Sequence, residues 1–390
     1  MSTEQLTKNR TKNMIKIPAG TKLEARIQRL SLAQGIFAER TLFPSASEDH
    51  RLLATDIDVL CSEYHPDLRL TRSNYECKSG KVSVLDRIFW LGGLRQLLNS
   101  DASYLVVKKV EEDVFRFGKA LNVELLSIDK LDSLESDLGI ATKSWPGRSN
   151  YSTFENALAA WRQHYNQEDT EKTWQELKQC MSFINVDSWL TFSYRNLNRL
   201  LRLLSETATI LRGTDDADVT LCSRYLVGAL AVRFSQCLLH ICHDTTVYGV
   251  HELEEFLKTK LVFGDNNPKH SRKLIDGVLA LVSHKMNHSN FGTLNISTSR
   301  FTAPPEFATD FAKLVSEVGR AANSARFGPI AMEMKIFDTP KTISQFPALS
   351  AACDSASMIT GLITGFLIRS IGVPATSFDT ILPELEQTYS

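Results

Sequence analysis

The 390-residue chain contains no uninterrupted apolar run of 18 residues, which is about the shortest stretch that crosses a bilayer as a helix. The nearest candidate, 355–368, is short, rich in small residues and flanked by Asp354 and Arg369, so a buried helix is expected there. The first 22 residues are polar and basic, without the apolar core of a secretory signal. A cytoplasmic protein with no membrane partner is the expectation. Cysteine is sparse: Cys61, Cys77, Cys180, Cys222, Cys237, Cys242 and Cys353, seven in all, with no Cys-x-x-Cys pair. That argues against a disulfide framework or a zinc ribbon. There is no glycine-rich Walker loop, so no nucleotide is expected as an energy source. His284 and His288 stand four apart, but the intervening residues lack the glutamate of a metalloprotease helix. Nor is there an excess of one charge. The 44 basic and 45 acidic residues leave a net charge of -1, which excludes a strongly cationic coat but not a local basic patch. With 43% apolar and 23% charged residues, the composition is that of an ordinary folded chain.

The periodicity changes along the chain. Up to about residue 140, helix-like and strand-like segments alternate. A helix is expected over 22–33, ended by Gly35, with strands over 36–43, 52–61 and 68–78. His65-Pro66-Asp67 is the turn of a hairpin between the last two. An amphipathic helix over 82–98 follows, then a strand over 104–107, a helix over 111–121 and a strand over 123–128. The helix after the third strand is long enough to cross over to a parallel neighbour. Beyond about residue 150 the apolar spacing is helical, near 152–166, 170–184, 187–212, 217–242, 268–286, 305–324 and 350–370. Residues 141–150, with Trp145-Pro146-Gly147 at their centre, have the composition of a linker. The expected fold is an α/β N-terminal domain with a mixed sheet (residues 1–145) followed by an all-α C-terminal domain (151–390).

Chemistry concentrates in two stretches, Thr55-Asp56-Ile57-Asp58-Val59-Leu60 and Asn74-Tyr75-Glu76-Cys77-Lys78. Alternate residues of a strand share a face, so Glu76 and Lys78 point one way, and Asp56 and Asp58 likewise share a face. If the strands pair through the hairpin, carboxylates and one ammonium converge. Clustered carboxylates raise one another's pKa unless a cation sits among them. Oxygen ligands of this kind suit Mg²⁺ or Mn²⁺. Such an ion activates water and stabilises charge on a phosphodiester, and the lysine can support the developing negative charge. Glu-x-Lys recurs at Glu176/Lys178 and Glu333/Lys335. The first of these lies in a helical pattern. The second has no Asp-bearing strand nearby, although 330–337 could be a strand.

Residues 20–130 resemble the PD-(D/E)xK nuclease superfamily, whose restriction-endonuclease-like core runs helix, three strands, helix, strand. Asp58 matches the acidic position on one strand, with Asp56 as a rival. Glu76 and Lys78 match the Glu-x-Lys on the next. Glu24 matches the metal-supporting glutamate that many members carry on the first helix, with Glu39 as a weaker rival. The chain lacks the proline that precedes the Asp in the motif. The resemblance implies a Mg²⁺- or Mn²⁺-dependent nuclease acting on nucleic acid, DNA before RNA, with Asp58, Glu76 and Glu24 as metal ligands and Lys78 assisting the attack. By analogy it implies genome defence or repair. The alternative is a catalytically degenerate nuclease fold serving as a scaffold or nucleic-acid clamp in a larger complex.

Lys81, Arg87 and Arg95 follow the motif and are expected to line a substrate groove. Residues 1–29 hold seven basic and two acidic residues, enough for a phosphate-contacting arm or for a solvated tail. Cys237, His240, Cys242 and His243 fall on one helix, where four side chains so close together cannot surround zinc, so burial is expected. Residues 264–273 read as a polar, basic loop. No ligand motif marks the helical half, whose expected role is oligomerisation or protein binding, with 351–365 as a possible small-residue interface.

Overall fold

The computed structural model describes residues 19–43, 55–143, 146–147, 172–184, 193–287 and 299–381. The chain opens with α1 (Ala19–Ala33), which buries Leu23, Ile27 and Leu30. Gly35 adopts φ +77°, and the helix closes with Gly35 N–H donating to Leu32 O and Ile36 N–H to Ser31 O. This paired closure needs a left-handed residue, hence the glycine. Next come β1 (Phe37–Leu42), β2 (Ile57–Tyr64) and β3 (Leu70–Cys77), neighbours in that order, with β2 antiparallel to both β1 and β3. The hairpin turn is closed by Leu68 N–H donating to His65 O at 2.8 Å.

The crossover helix α2 (Val84–Leu98) is capped by the Ser83 hydroxyl, which accepts from the Asp86 N–H. It returns the chain to β4 (Ala102–Val107), parallel to β3. Then α3 (Glu112–Ala120) leads to β5 (Val123–Ser127), parallel to β4. The five-stranded sheet therefore has the order β1-β2-β3-β4-β5 and is mixed. At the α3–β5 junction a Cβ on Gly118 would stand 2.7 Å from the Val123 carbonyl oxygen. Gly118→Ala is expected to lower stability by about 1–3 kcal/mol through that overlap, as read by urea denaturation; an unchanged midpoint would contradict the packing.

The two faces of the sheet are buried differently. On one, Ile88, Leu91, Leu94 and Leu98 of α2 cover Leu60, Leu105 and Val107. On the other, α1 covers Val59, Cys61, Cys77 and Val106, and this layer runs on without a break into the helical part. A fourth N-terminal helix, α4 (Ile128–Asp137), starts directly on β5, capped by Ser127. Its Glu135 carboxylate holds both Arg26 and Arg29 of α1.

The remainder is largely helical: α5 (Lys172–Ser182), α6 (Tyr194–Gly213), α7 (Ala217–Asp244), α8 (Val250–Phe263), α9 (Pro268–Asn287), α10 (Ala308–Arg320), α11 (Gly328–Phe337), α12 (Pro347–Ser355) and α13 (Ser357–Phe366), with shorter turns between. Three expectations need correction. Residues 330–337 are helix, not strand, and pack against Gly228 of α7, where a Cβ would stand 2.7 Å from Ile336 Cγ2. The basic loop is only four residues long, because Pro268 begins α9. And α8 fills a stretch to which the periodicity assigned no element. The expected helix at 152–166 lies outside the described residues. Among the described residues one helical stretch, Val219–Asp244, is long and apolar enough to cross a membrane, and 89% of its apolar window is buried within the protein. The small-residue stretch at 351–365 packs inward through Ala352, Ala356, Ile359 and Ile363.

Candidate active site

The β2–β3 register pairs Val59 with Tyr75. Continued by one residue, it sets Asp58 opposite Glu76, at the start of one strand and the end of the next. Asp58 Oδ2 accepts a 2.6 Å hydrogen bond from the Cys77 N–H, which fixes the carboxylate against the edge of the ladder. The same oxygen lies 3.4 Å from Lys78 Nζ, and Lys78 Nζ lies 2.6 Å from Glu76 Oε1. One ammonium thus bridges two buried carboxylates. Arg87, in the first turn of α2, places Nη1 3.3 Å from the same Glu76 oxygen. Oε1 is buried between the two cations.

Electrostatics follow the geometry. Burial raises the Asp58 pKa, and the Cys77 N–H and Lys78 oppose that rise. Burial also raises Glu76, against the pull of Lys78, and Asp58 adds to the rise. Lys78 is pulled down by burial, but Glu76 and Asp58 outweigh it and hold the ammonium charged. Glu24, on α1, is pushed up to about 7, chiefly by burial and then by the Asp58 carboxylate, with Arg40 and Lys78 opposing and Asp56 adding. A carboxyl with a raised folded-state pKa stabilises the fold below its unfolded value and loses that contribution as pH rises through the folded value. Glu24→Gln should therefore match wild type in melting temperature near pH 4.5, gain on it as pH rises from there to about 7, and keep a constant margin above that. Parallel melting curves for the two proteins from pH 4.5 to 8 would contradict the burial of Glu24 beside Asp58.

The other residues are distributed as follows. Asp56 is exposed ahead of β2, where the Thr55 hydroxyl donates to its backbone carbonyl; Asp58 holds the inner position. Glu39 is buried on β1 and ion-paired with Arg233 of α7, so it takes no part in the cluster. Lys81 is exposed in the loop before α2. Arg95 is not brought to the site. Two turns beyond Arg87, its guanidinium donates to the Ser100 and Asp101 carbonyls at the opposite end of the sheet. Lys108 and Lys109, exposed directly after β4, were not expected. They emerge beside the cluster, because the Lys78 N–H donates to Val106 O. A lysine pair directly after a short apolar strand was the available signal.

On α7, Cys242 Sγ donates to the Val315 carbonyl and His240 packs edge-on against Tyr64. Burial pulls His240 down to about 4 and pushes Cys237 up to about 12. These side chains are parts of the core. Among the described residues, no three His, Cys, Asp or Glu side chains close tightly enough on one point to hold a metal ion. Asp58 and Glu76 converge on the lysine instead, and Glu24 stands near them without completing a cage.

No protein-family model, curated protein or solved structure matches the chain. What it does has to be read from its own residues. Asp58 and Glu76 are hard oxygen donors of the kind a small divalent cation takes, and they are the residues that would hold one; the Lys78 ammonium sits between them.

Proposed function

We propose that the cluster of Asp58, Glu76 and Lys78 is the catalytic centre of a divalent-metal-dependent nuclease, acting on DNA before RNA, on a restriction-endonuclease-like α/β domain. The observation that carries this reading is the single ammonium bridging two buried carboxylates that face each other across adjacent strands. Buried charge of this density is costly for a fold to maintain, and such clusters are characteristic of sites that do chemistry.

A bound Mg²⁺ or Mn²⁺ would supply Lewis acidity toward the scissile phosphate. Asp58 and Glu76 would be its ligands, with Glu24 as a third carboxylate nearby. Lys78 orients the attacking water and stabilises negative charge on the phosphoryl oxygens. Arg87 holds Glu76 in place. Lys81, Lys108 and Lys109 provide cationic contacts for the flanking backbone.

The test is a substrate panel. Supercoiled plasmid, single-stranded DNA and RNA are incubated with the full chain in Mg²⁺, Mn²⁺ or chelator. Metal-dependent cleavage of DNA in preference to RNA is expected; no cleavage of any substrate would overturn the reading. One observation favours a second reading, a nuclease fold that binds nucleic acid without cutting it. Lys78 and Arg87 already neutralise Glu76. In that case the panel would give binding to DNA with no cleavage.

A further inference from the structure

Two cations sit on Glu76, and they are held differently. Lys78 Nζ lies 2.6 Å from Glu76 Oε1 and 3.4 Å from Asp58 Oδ2, so withdrawing it breaks two ion pairs. Arg87 Nη1 lies 3.3 Å from the same Glu76 oxygen, and among the described residues Glu76 is the carboxylate it pairs with. The Lys78 side chain is 24% exposed and the Arg87 side chain 40%. Arg87 also comes from a separate element, the first turn of α2. Its guanidinium carbon stands 5.7 Å from the centre of the Trp90 ring, inside cation–π range. Trp90 follows by three positions on the same helix and so offers the guanidinium a second seat.

A divalent ion held by Asp58 and Glu76 would stand within a few ångströms of both cations, since its bonds to oxygen are only about 2.0–2.6 Å long. Charges that close in a partly buried site repel strongly and are little screened by salt. One cation has to yield. Arg87 is the one with a single ion pair, the greater exposure and an alternative partner. A released guanidinium is a strong phosphate ligand, because its planar fork matches phosphate oxygens. Backbone phosphates are expected at this end of the sheet, where Lys81, Lys108 and Lys109 are exposed.

We propose that Arg87 is an exchangeable cation, which competes with the divalent ion for Glu76 and, when displaced, pairs with a phosphate of the substrate backbone. Such an exchange presupposes the metal site proposed above and adds a control to it. Glu76, neutralised by Lys78 and Arg87, sets a threshold for metal binding. A nucleic acid that draws Arg87 away lowers that threshold. Metal and substrate therefore favour each other's binding through one side chain.

Mn²⁺ binding to the full chain, read from the electron paramagnetic resonance signal of the free ion, is the first measurement. Arg87→Gln should bind Mn²⁺ roughly tenfold more tightly than wild type, the scale of removing one unit charge beside a partly buried ion. Arg87→Lys keeps the charge and should stay close to wild type. Lys119→Gln, which removes an exposed charge from α3, controls for net charge and should match wild type. Should Arg87→Gln fold poorly, Arg87→Met takes its place, since its stem still packs against Trp90. The second measurement is fluorescence anisotropy of a short labelled DNA duplex, in Ca²⁺ so that cleavage driven by Mn²⁺ does not erode it. With chelator, wild type and Arg87→Gln should bind the duplex equally. With Ca²⁺ saturating both, wild type should bind it several-fold more tightly. Mn²⁺ binding that is lost in Asp58→Asn but equal in wild type and Arg87→Gln overturns the exchange and leaves the metal site standing. An Arg87→Lys variant that binds Mn²⁺ as tightly as Arg87→Gln overturns it too, because packing and not charge would then be what opposes the ion. So does equal duplex binding by wild type and Arg87→Gln in Ca²⁺. No Mn²⁺ binding by any of the proteins removes the metal site and the exchange together.

Discussion

Lys78→Ala is expected to lower metal-dependent cleavage by roughly 10²–10³-fold, the scale on which losing one preorganised charge-stabilising group acts in other active sites. Two effects combine. The variant loses the ammonium that touches both Asp58 and Glu76. Those carboxylates are then left facing each other with Arg87 still in contact with Glu76, which raises their pKa values further and weakens them as ligands. Lys78→Arg should not restore the rate, because a planar guanidinium cannot place a point charge between two carboxylates 2.6 and 3.4 Å away. Asp58→Asn is the matching ligand variant. An asparagine oxygen can still accept from the Cys77 N–H, so the strand edge keeps its hydrogen bond while the ligand charge is lost. Initial rates on plasmid DNA, with folding checked by circular dichroism, measure both.

The second large effect concerns stability. Arg233 of α7 and Glu39 of β1 form an ion pair with both side chains more than nine-tenths buried, and Arg233 also donates to Gln236. It joins the sheet to the longest helix of the helical part. Arg233→Met is expected to cost about 3–5 kcal/mol, because it leaves a buried carboxylate without its cation. Replacing both partners, Glu39→Leu with Arg233→Met, should recover most of that loss, since an apolar pair of similar volume needs no compensation. Urea denaturation of the two variants and wild type gives the numbers. A double variant as unstable as the single would show that the cost lies in packing instead of charge. Glu39 also shows why a carboxylate on a strand is not by itself a ligand. Its partner lies 194 positions away in the chain, and no local pattern signals that distance.

Much of the α/β part was legible because its strands are short, bounded by turn residues and separated by a helix with a clear cap. The His65-Pro66-Asp67 turn sets the β2–β3 register, and the register alone brings Asp58 opposite Glu76. The crossover to a parallel strand already implied that α2 runs back along the sheet, but its consequence was not drawn: Arg87 sits at the cluster and Arg95 at the far end, although both follow the motif. Helices α11 and α4 were missed for opposite reasons. Nearly all of α11 is buried, so it shows no polar face and no period. By contrast, α4 is mostly polar and offers only Ile128, Leu131 and Leu134 as a stripe.

The most direct test of the central claim is one nicking assay on supercoiled plasmid with three proteins, wild type, Asp58→Asn and Lys78→Ala, each in Mg²⁺, Mn²⁺ and chelator. Cleavage by wild type that needs the metal and is lost in both variants is the predicted result. Equal activity in all three, or wild-type cleavage that persists in chelator, would contradict the assignment of the site.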